Sequence, residues 1–196
     1  SKFIAIQILR VPSARNQVND VFDFIFKFTG EVNCSEQKKL YSKVSHCESI
    51  LSSANKLSPF LYNKDWVLYE SKGENYIIGD NPVVLNNTFN NGELGLKSEG
   101  VEIYLPLSPN YCLLLICKSV RKTLSKKIAE LSGDAEAKTL LNTITKFHDT
   151  LKSNGTSFSP TEVVTFVNSL QIQYAERFLY SHKKHSDLPK EMLSSM

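Results

Sequence analysis

Asp80 is the side chain from which chemistry could start. It heads Asp80-Asn81-Pro82, directly after the apolar run of residues 75–79. A carboxylate at the end of a buried strand can project an acidic oxygen into a cleft, as general base or metal ligand. The same three residues also suit a turn, because Asp and Asn bond nearby backbone donors and proline fixes the exit angle. No histidine stands beside Asp80 in the sequence, so an active carboxylate there needs a distant partner. Arg10 and Arg15 flank Pro12 and are the candidate anion clamps. A guanidinium next to an apolar stripe can hold a carboxylate or phosphate through two parallel hydrogen bonds. Asn168 completes the set. Counted at about 100° per residue, it shares its azimuth with Val164, Ile172, Ala175 and Leu179. An amide among apolar neighbours must bond another segment's backbone or point into a site.

Metal and cofactor chemistry is not expected. The four cysteines and four histidines include Cys34, His46 and Cys47, but that trio lacks the short paired spacing of a zinc site. Cys112 and Cys117 are five apart in a strand-like run and should face opposite sides of a sheet. His182-Lys183-Lys184-His185 belongs to a polar tail too loose for a tetrahedron. A magnesium site around Asp80 would borrow ligands from a substrate. The basic run Lys118, Arg121, Lys122, Lys126 and Lys127 reads as a solvated helix face ahead of a nucleic-acid contact. No glycine-rich phosphate loop, G-x-S-x-G elbow or H-E-x-x-H is present.

These residues must be positioned by helices first, then strands, then helices again. Ile4, Ile8 and Val11 mark a helix over 2–11, which Pro12 should kink or end. Residues 19–28 carry two apolar stripes, Val21/Phe24/Ile25/Phe28 and Phe22/Phe26, and predict burial on two sides up to Thr29-Gly30. A third helix is expected over 35–56 and a connection over 57–64. Strands are expected at about 65–71, 75–79, 82–86, 101–105 and 111–117, the first two as a hairpin around Lys72-Gly73. Residues 86–100, rich in Asn and Gly, predict an exposed loop. Tyr111 to Cys117 is apolar enough for a central strand with Leu113, Leu114 and Leu115 all buried. Helices follow at 120–131, 134–152 and 159–180, the last opened by Ser159-Pro160-Thr161-Glu162 as a capping box. Its expected core face is Val163, Val167, Leu170, Tyr174 and Phe178. The fold class is α+β: helices on both sides in sequence of a small, mostly antiparallel sheet.

The chain has 196 residues, 41% hydrophobic and 22% charged, with a net charge of +3. That excludes a disordered tail or a fibrous repeat, and the charge is too mild to demand nucleic acid or an anionic membrane. One domain over 1–182 is expected, followed by a polar tail over 183–196. No stretch approaches the roughly 18 apolar residues that span a bilayer. Unpaired cysteine spacing in a chain of this size points to reduced thiols and a cytoplasmic location. The abrupt apolar opening, uncapped and without an initiator Met, leads to the expectation that this is the C-terminal part of a longer natural protein.

F-I-A-I-Q-I-L-R-V-P-S-A-R at 3–15, W-V-L at 66–68, I-G-D-N-P-V-V-L at 78–85, E-I-Y-L-P-L-S-P at 102–109 and the helix from Asn168 to Tyr180 come in one order. In that order the chain resembles a mostly bacterial family known as domain of unknown function 4238. Val11 stands where that family usually has Thr, and Gly79 where it usually has Ser. The family's upstream His-x-x-Pro segment is not in this sequence. The resemblance implies a shared fold and places the family's polar motif residues on Arg10, Arg15, Asp80, Asn81, Ser108 and Asn168. Arg10, Arg15 and Asp80 are the catalytic candidates; Asn81, Ser108 and Asn168 are the ligand-binding ones.

Two functions stay open. One is a cytosolic interaction or regulatory module without chemistry, in a mobile-element or phage-defence setting. The other is a metal-assisted hydrolase or nuclease around Asp80 and an Arg, completed by the upstream His. A protein partner or small polar ligand is expected ahead of nucleic acid, with no membrane partner.

Overall fold

A computed structural model of the chain describes residues 1–29, 35–89, 93–133 and 137–182. Cys34, Gly30, His185 and the tail 183–196 lie outside the described residues. The chain divides into two compact units, Ser1–Tyr62 and Asn63–Met196.

The first unit is helical: α1 Lys2–Leu9, α2 Pro12–Thr29 and α3 Ser35–Tyr62. Pro12 is the first residue of α2, where its missing N–H would be unsatisfied anyway and its fixed φ suits a helix start. α1 packs on α3, and Ile4, Ala5, Val11, Ala54 and Leu61 are buried. The expected connection over 57–64 is instead the last turns of α3, which runs through Pro59 to Tyr62. Near a helix end the proline removes one backbone bond and little else. Two-sided burial of 19–28 is not seen, for Val21, Phe24 and Ile25 are exposed. Within this unit α3 is the main neighbour of α2, and one helix covers one side. The side chains of Phe22, Phe26 and Phe28 are outside the described residues.

The second unit is built on a five-stranded sheet in the order β3-β4-β5-β1-β6. Its strands are β1 Asp65–Glu70, β3 Val84–Asn87, β4 Val101–Ser108, β5 Tyr111–Ile116 and β6 Thr156–Phe158. A separate ribbon pairs β2 Ile78–Gly79 with β7 Leu179–Tyr180. All pairings are antiparallel except β1 with β6. Helices α4 Lys118–Leu131, α5 Lys138–Ser153 and α6 Thr161–Tyr174 complete an α+β arrangement, as the element order predicts. β5 is central, with Leu114 and Leu115 buried and Leu113 half-buried. One face of the sheet, through Val67, Tyr69, Tyr104, Cys112 and Leu114, packs with Leu151, Val164 and Val167.

Four expectations about this unit are corrected. Residues 75–79 do not form a hairpin with β1, because β1 already pairs with β5 on one edge and β6 on the other. The turn after β1 is closed by the Ser71 hydroxyl, which donates to the Glu74 carbonyl at 2.6 Å, and only Ile78–Gly79 become strand. The P-L-S residues at 106–108 continue β4 with a bulge, where a corner after residue 105 is expected. The final helix stops at Tyr174. Ala175 turns extended (φ −66°, ψ 135°), and residues 179–180 leave as β7. The capping box is not made either: Pro160 is the N-cap residue of α6, and Ser159 turns its hydroxyl to the Pro160 carbonyl at 3.4 Å and its N–H to the Glu70 carbonyl across the β1–β6 pair.

Candidate functional site

Asp80, Asn81 and Asn168 meet along the seam where residues 75–82 lie on α6. Asn168 accepts from the Ile77 N–H at 3.0 Å and donates to the Asn75 carbonyl at 2.9 Å. One turn on, Gln171 accepts from the Gly79 N–H at 2.9 Å and donates to the Pro82 carbonyl at 3.0 Å. Two amide side chains thus supply the bonds that a neighbouring strand would supply. Gln171 has 0% of its surface exposed, so a dry seam keeps every amide group paired. Residue 79 must be small there, because a Cβ on Gly79 would sit 3.2 Å from the Gln171 carbonyl oxygen and 3.3 Å from the Ala175 Cβ. Asp80 closes the seam. Its carboxylate accepts from the Glu176 N–H at 2.9 Å, and its own N–H donates to the Phe178 carbonyl at 3.0 Å. The turn reading expects donors within a few residues; the donor is 96 residues away, in the segment after α6. Asn81 is half-buried beside it.

Ser108 serves the β4–β5 turn, where its hydroxyl accepts from the N–H groups of Asn110 at 3.3 Å and Tyr111 at 3.1 Å. With Pro106, Leu107 and Pro109 it walls a groove of about 210 Å³ whose other side is Tyr76, Ile78 and Tyr180. Burial pushes the Tyr76 hydroxyl up to about 12, with Ser159 pulling the other way. Arg10 and Arg15 belong to the first unit and are both exposed; Arg10 also ends α1.

A family model described as protein of unknown function (DUF4238) matches residues 1–185. The chain belongs to that family. No curated protein and no solved structure is similar enough to match it. The D-N-P and P-L-S-P segments of this DUF4238 chain therefore lie on one seam and one groove wall, with the Asp80 and Ser108 side chains accepting from backbone.

A second polar cluster of the DUF4238 chain gathers where β5 passes into α4, and sequence reasoning missed it. Cys117 is the N-cap residue of α4 and is half-buried. The Ser119 hydroxyl donates to its sulfur at 3.0 Å and accepts from the Gly100 N–H at 2.9 Å. Gly100 has φ +78°, and a Cβ there would lie 2.5 Å from Asn87 Oδ1, so only glycine brings that amide into place. Burial pushes the Cys117 thiol up. The Ser119 hydroxyl, the Ser119 and Gly100 amides and Lys64 outweigh it, and the thiol titrates below its ordinary value. Lys64 is 7% exposed, and burial lowers its ammonium against the pull of Cys117. Asp65 is also buried; burial raises its carboxyl although Arg121 Nε lies 3.1 Å away. The only signal in the sequence is Lys64-Asp65 at the head of an otherwise apolar strand.

Elsewhere in α4 and α5, Ser125, His148 and Asp149 mimic a catalytic triad in order only. The Ser125 hydroxyl lies within hydrogen-bond reach of both the Arg121 carbonyl at 3.0 Å and His148 Nε2 at 2.9 Å, and Asp149 touches His148 Nδ1 only at 3.4 Å as its neighbour in sequence. In the first unit, His46 is buried beside a cavity of about 410 Å³ lined also by Leu9, Gln17 and Ile50. Burial, helped by the charge of Arg15, lowers its imidazole. Among the described residues no group of three His, Cys, Asp or Glu side chains is placed to hold a metal ion.

Proposed function

We propose that this protein is an interaction or regulatory module, cytosolic and bacterial-type, acting in a mobile-element or phage-defence setting. It takes an extended segment of a protein partner in the groove between the P-L-S-P wall and the β2–β7 ribbon. The observation that carries this reading is how the motif residues are used. Asp80, Asn168 and Ser108 are bonded to backbone, while the groove beside Ser108 is lined mainly by apolar and aromatic side chains. Prolines opposite tyrosines suit an extended chain, which offers backbone groups and small apolar side chains to aromatic surfaces. Leu107 is 54% and Tyr180 57% exposed at its mouth, so both are accessible to a partner. The free thiols of Cys47, Cys112 and Cys117 support a reducing compartment. No helix among the described residues is long and apolar enough to cross a membrane. The hydrolase alternative would use the second carboxylate oxygen of Asp80, since Oδ1 accepts the Glu176 N–H.

The test is selection from a library of short extended peptides, followed by titration of the selected sequences by fluorescence polarisation. Leu107→Asp places a charge on the groove wall and should weaken binding at least tenfold, while far-UV dichroism stays unchanged. Peptides that bind wild type and Leu107→Asp equally would remove the groove from the reading.

A further inference from the structure

The cavity of the first unit has no part in that groove, and it holds a buried polar atom without a partner. It measures about 410 Å³, and all three helices build it. α1 brings Leu9, α2 brings Gln17 and Val21, and α3 brings His46, Ser49 and Ile50. His46 is 5% exposed, and its Nε2 is buried with no hydrogen-bond partner among the described residues. Folded proteins pair nearly all of their buried polar atoms, so an unpaired ring nitrogen on a side chain that lines a cavity points to a ligand group.

We propose that this cavity binds a small apolar carboxylic acid as its anion, with His46 donating to the carboxylate and Arg15 supplying the opposite charge. The size and the walls select a compact organic body. Cavities of roughly 300–1,000 Å³ with apolar walls and a few polar groups suit small molecules. Leu9, Val21 and Ile50 are such walls, and Val21 still has 58% of its surface uncovered, so a ligand body gains contact there. The charges select an anion. No Asp or Glu lines the cavity, so nothing in its lining answers a cation. Arg15 is exposed, directly follows the lining residue Ala14 on α2, and is near enough for its charge to be felt at His46. Burial and that charge lower the imidazole below its ordinary value, so the ring is neutral at pH 7 and carries one N–H. Held on Nε2, that hydrogen is the donor a carboxylate oxygen needs. One fixed cation and one buried donor match a monoanion. A phosphate would bring more charge and more oxygens than these two groups answer, and would leave acceptors unpaired against Leu9 and Ile50.

The experiment titrates the whole chain, labelled with nitrogen-15, with octanoate and with 3-phenylpropionate at pH 7, and follows backbone amide and imidazole resonances. Both acids should bind with a dissociation constant of roughly 1 mM or tighter, a fair affinity for about ten non-hydrogen atoms. The shifts should gather at Gln17, Ser45 and Ser49 and on the His46 ring, and leave the groove of the second unit unmoved. Octan-1-ol and 3-phenylpropan-1-ol keep the body without the charge and should bind at least about fivefold more weakly. His46→Leu should weaken both acids about tenfold by removing the buried donor. Arg15→Gln should weaken them about fivefold; it changes an exposed residue, so it serves if His46→Leu folds poorly. Absence of shifts in the first unit at about 10 mM acid would overturn the proposal. So would alcohols that bind as tightly as the acids, or unchanged affinity in Arg15→Gln or in a folded His46→Leu.

Discussion

Along α6, every amide that enters the seam meets a backbone group: Asn168 takes Asn75 and Ile77, and Gln171 takes Gly79 and Pro82. At the head of α4, Lys64 and Asp65 are nearly as deeply buried, but Asp65 faces Arg121 at 3.1 Å and Lys64 feels the charge of Cys117, where the seam has backbone partners. The first arrangement is neutral and saturated. It can hold a segment in place but has no donor or acceptor to lend. The second holds ionisable groups away from their ordinary values, which is how a protein keeps a nucleophile or a proton ready. The two polar regions of one unit thus differ in kind, and Asp80 and Asn168 fall on the saturated one.

The sharpest way to break that contrast is to unsaturate the seam. Gln171→Leu keeps the volume roughly and strands the Gly79 N–H and Pro82 carbonyl in a site with no exposed surface. Two buried backbone groups left unsatisfied, at roughly 1–3 kcal/mol each, should lower stability by about 3–5 kcal/mol in urea unfolding followed by Trp66 fluorescence. A loss under about 1 kcal/mol would mean that water replaces the amide, and the seam would not be dry.

The corner should respond to charge and to pH where the seam does not. Arg121→Met leaves the Asp65 carboxylate buried without its nearest cation, 3.1 Å away in the wild type. Removing one partner of a buried pair costs about 3–5 kcal/mol; the Arg121 side chain is 28% exposed, so about 2–3 kcal/mol is expected at pH 7. The sign with pH follows from Asp65. Its folded value is raised above the ordinary 3.8, so the folded state favours the protonated acid, and stability is lost as pH rises through that raised value. Without Arg121 the value rises further, so the variant should suffer most at pH 7 and approach wild type near pH 4. Equal losses at both pH values would assign the effect to packing of the arginine stem.

The sequence reveals the scaffold better than the corner, for physical reasons. Period-two burial along Asp65–Glu70 and the unbroken apolar run of Tyr111–Ile116 are local signals, and both strands appear where they are expected. The end of α6 is not local. Helical periodicity continues past Tyr174, but the backbone of 176–180 is bonded to residues 78–80, nearly a hundred positions earlier, and that pairing overrides the periodicity. The angular count finds Asn168 as an amide among apolar residues, and the resulting choice between backbone and site resolves to backbone. The same count, applied three residues on, would have found Gln171. Cys117 offers no comparable cue, because its environment is assembled from Lys64, Gly100 and Ser119, three segments that only the β4–β5–β1 register brings together.

Asp80 carries the smallest effect and the most direct comparison of scaffold with catalyst. Its carboxylate holds the Glu176 N–H just beyond α6, a bond of the kind a helix cap makes. An amide oxygen can accept the same hydrogen, so Asp80→Asn should cost under about 1.5 kcal/mol, and Asp80→Ala about 1–2 kcal/mol, the range for a lost cap. Peptides selected on the groove should bind Asp80→Asn within about twofold of wild type, since the groove is lined by Tyr76, Ile78 and Tyr180 and not by the carboxylate. A catalytic carboxylate gives the opposite pattern, because the asparagine preserves the fold but cannot take a proton or share a metal's charge. If the full-length protein hydrolyses nucleic acid or nucleotides with a divalent metal, and Asp80→Asn abolishes that turnover without loss of stability, Asp80 moves from scaffold to catalyst. The second carboxylate oxygen would then carry the chemistry, since it is Oδ1 that accepts the Glu176 N–H.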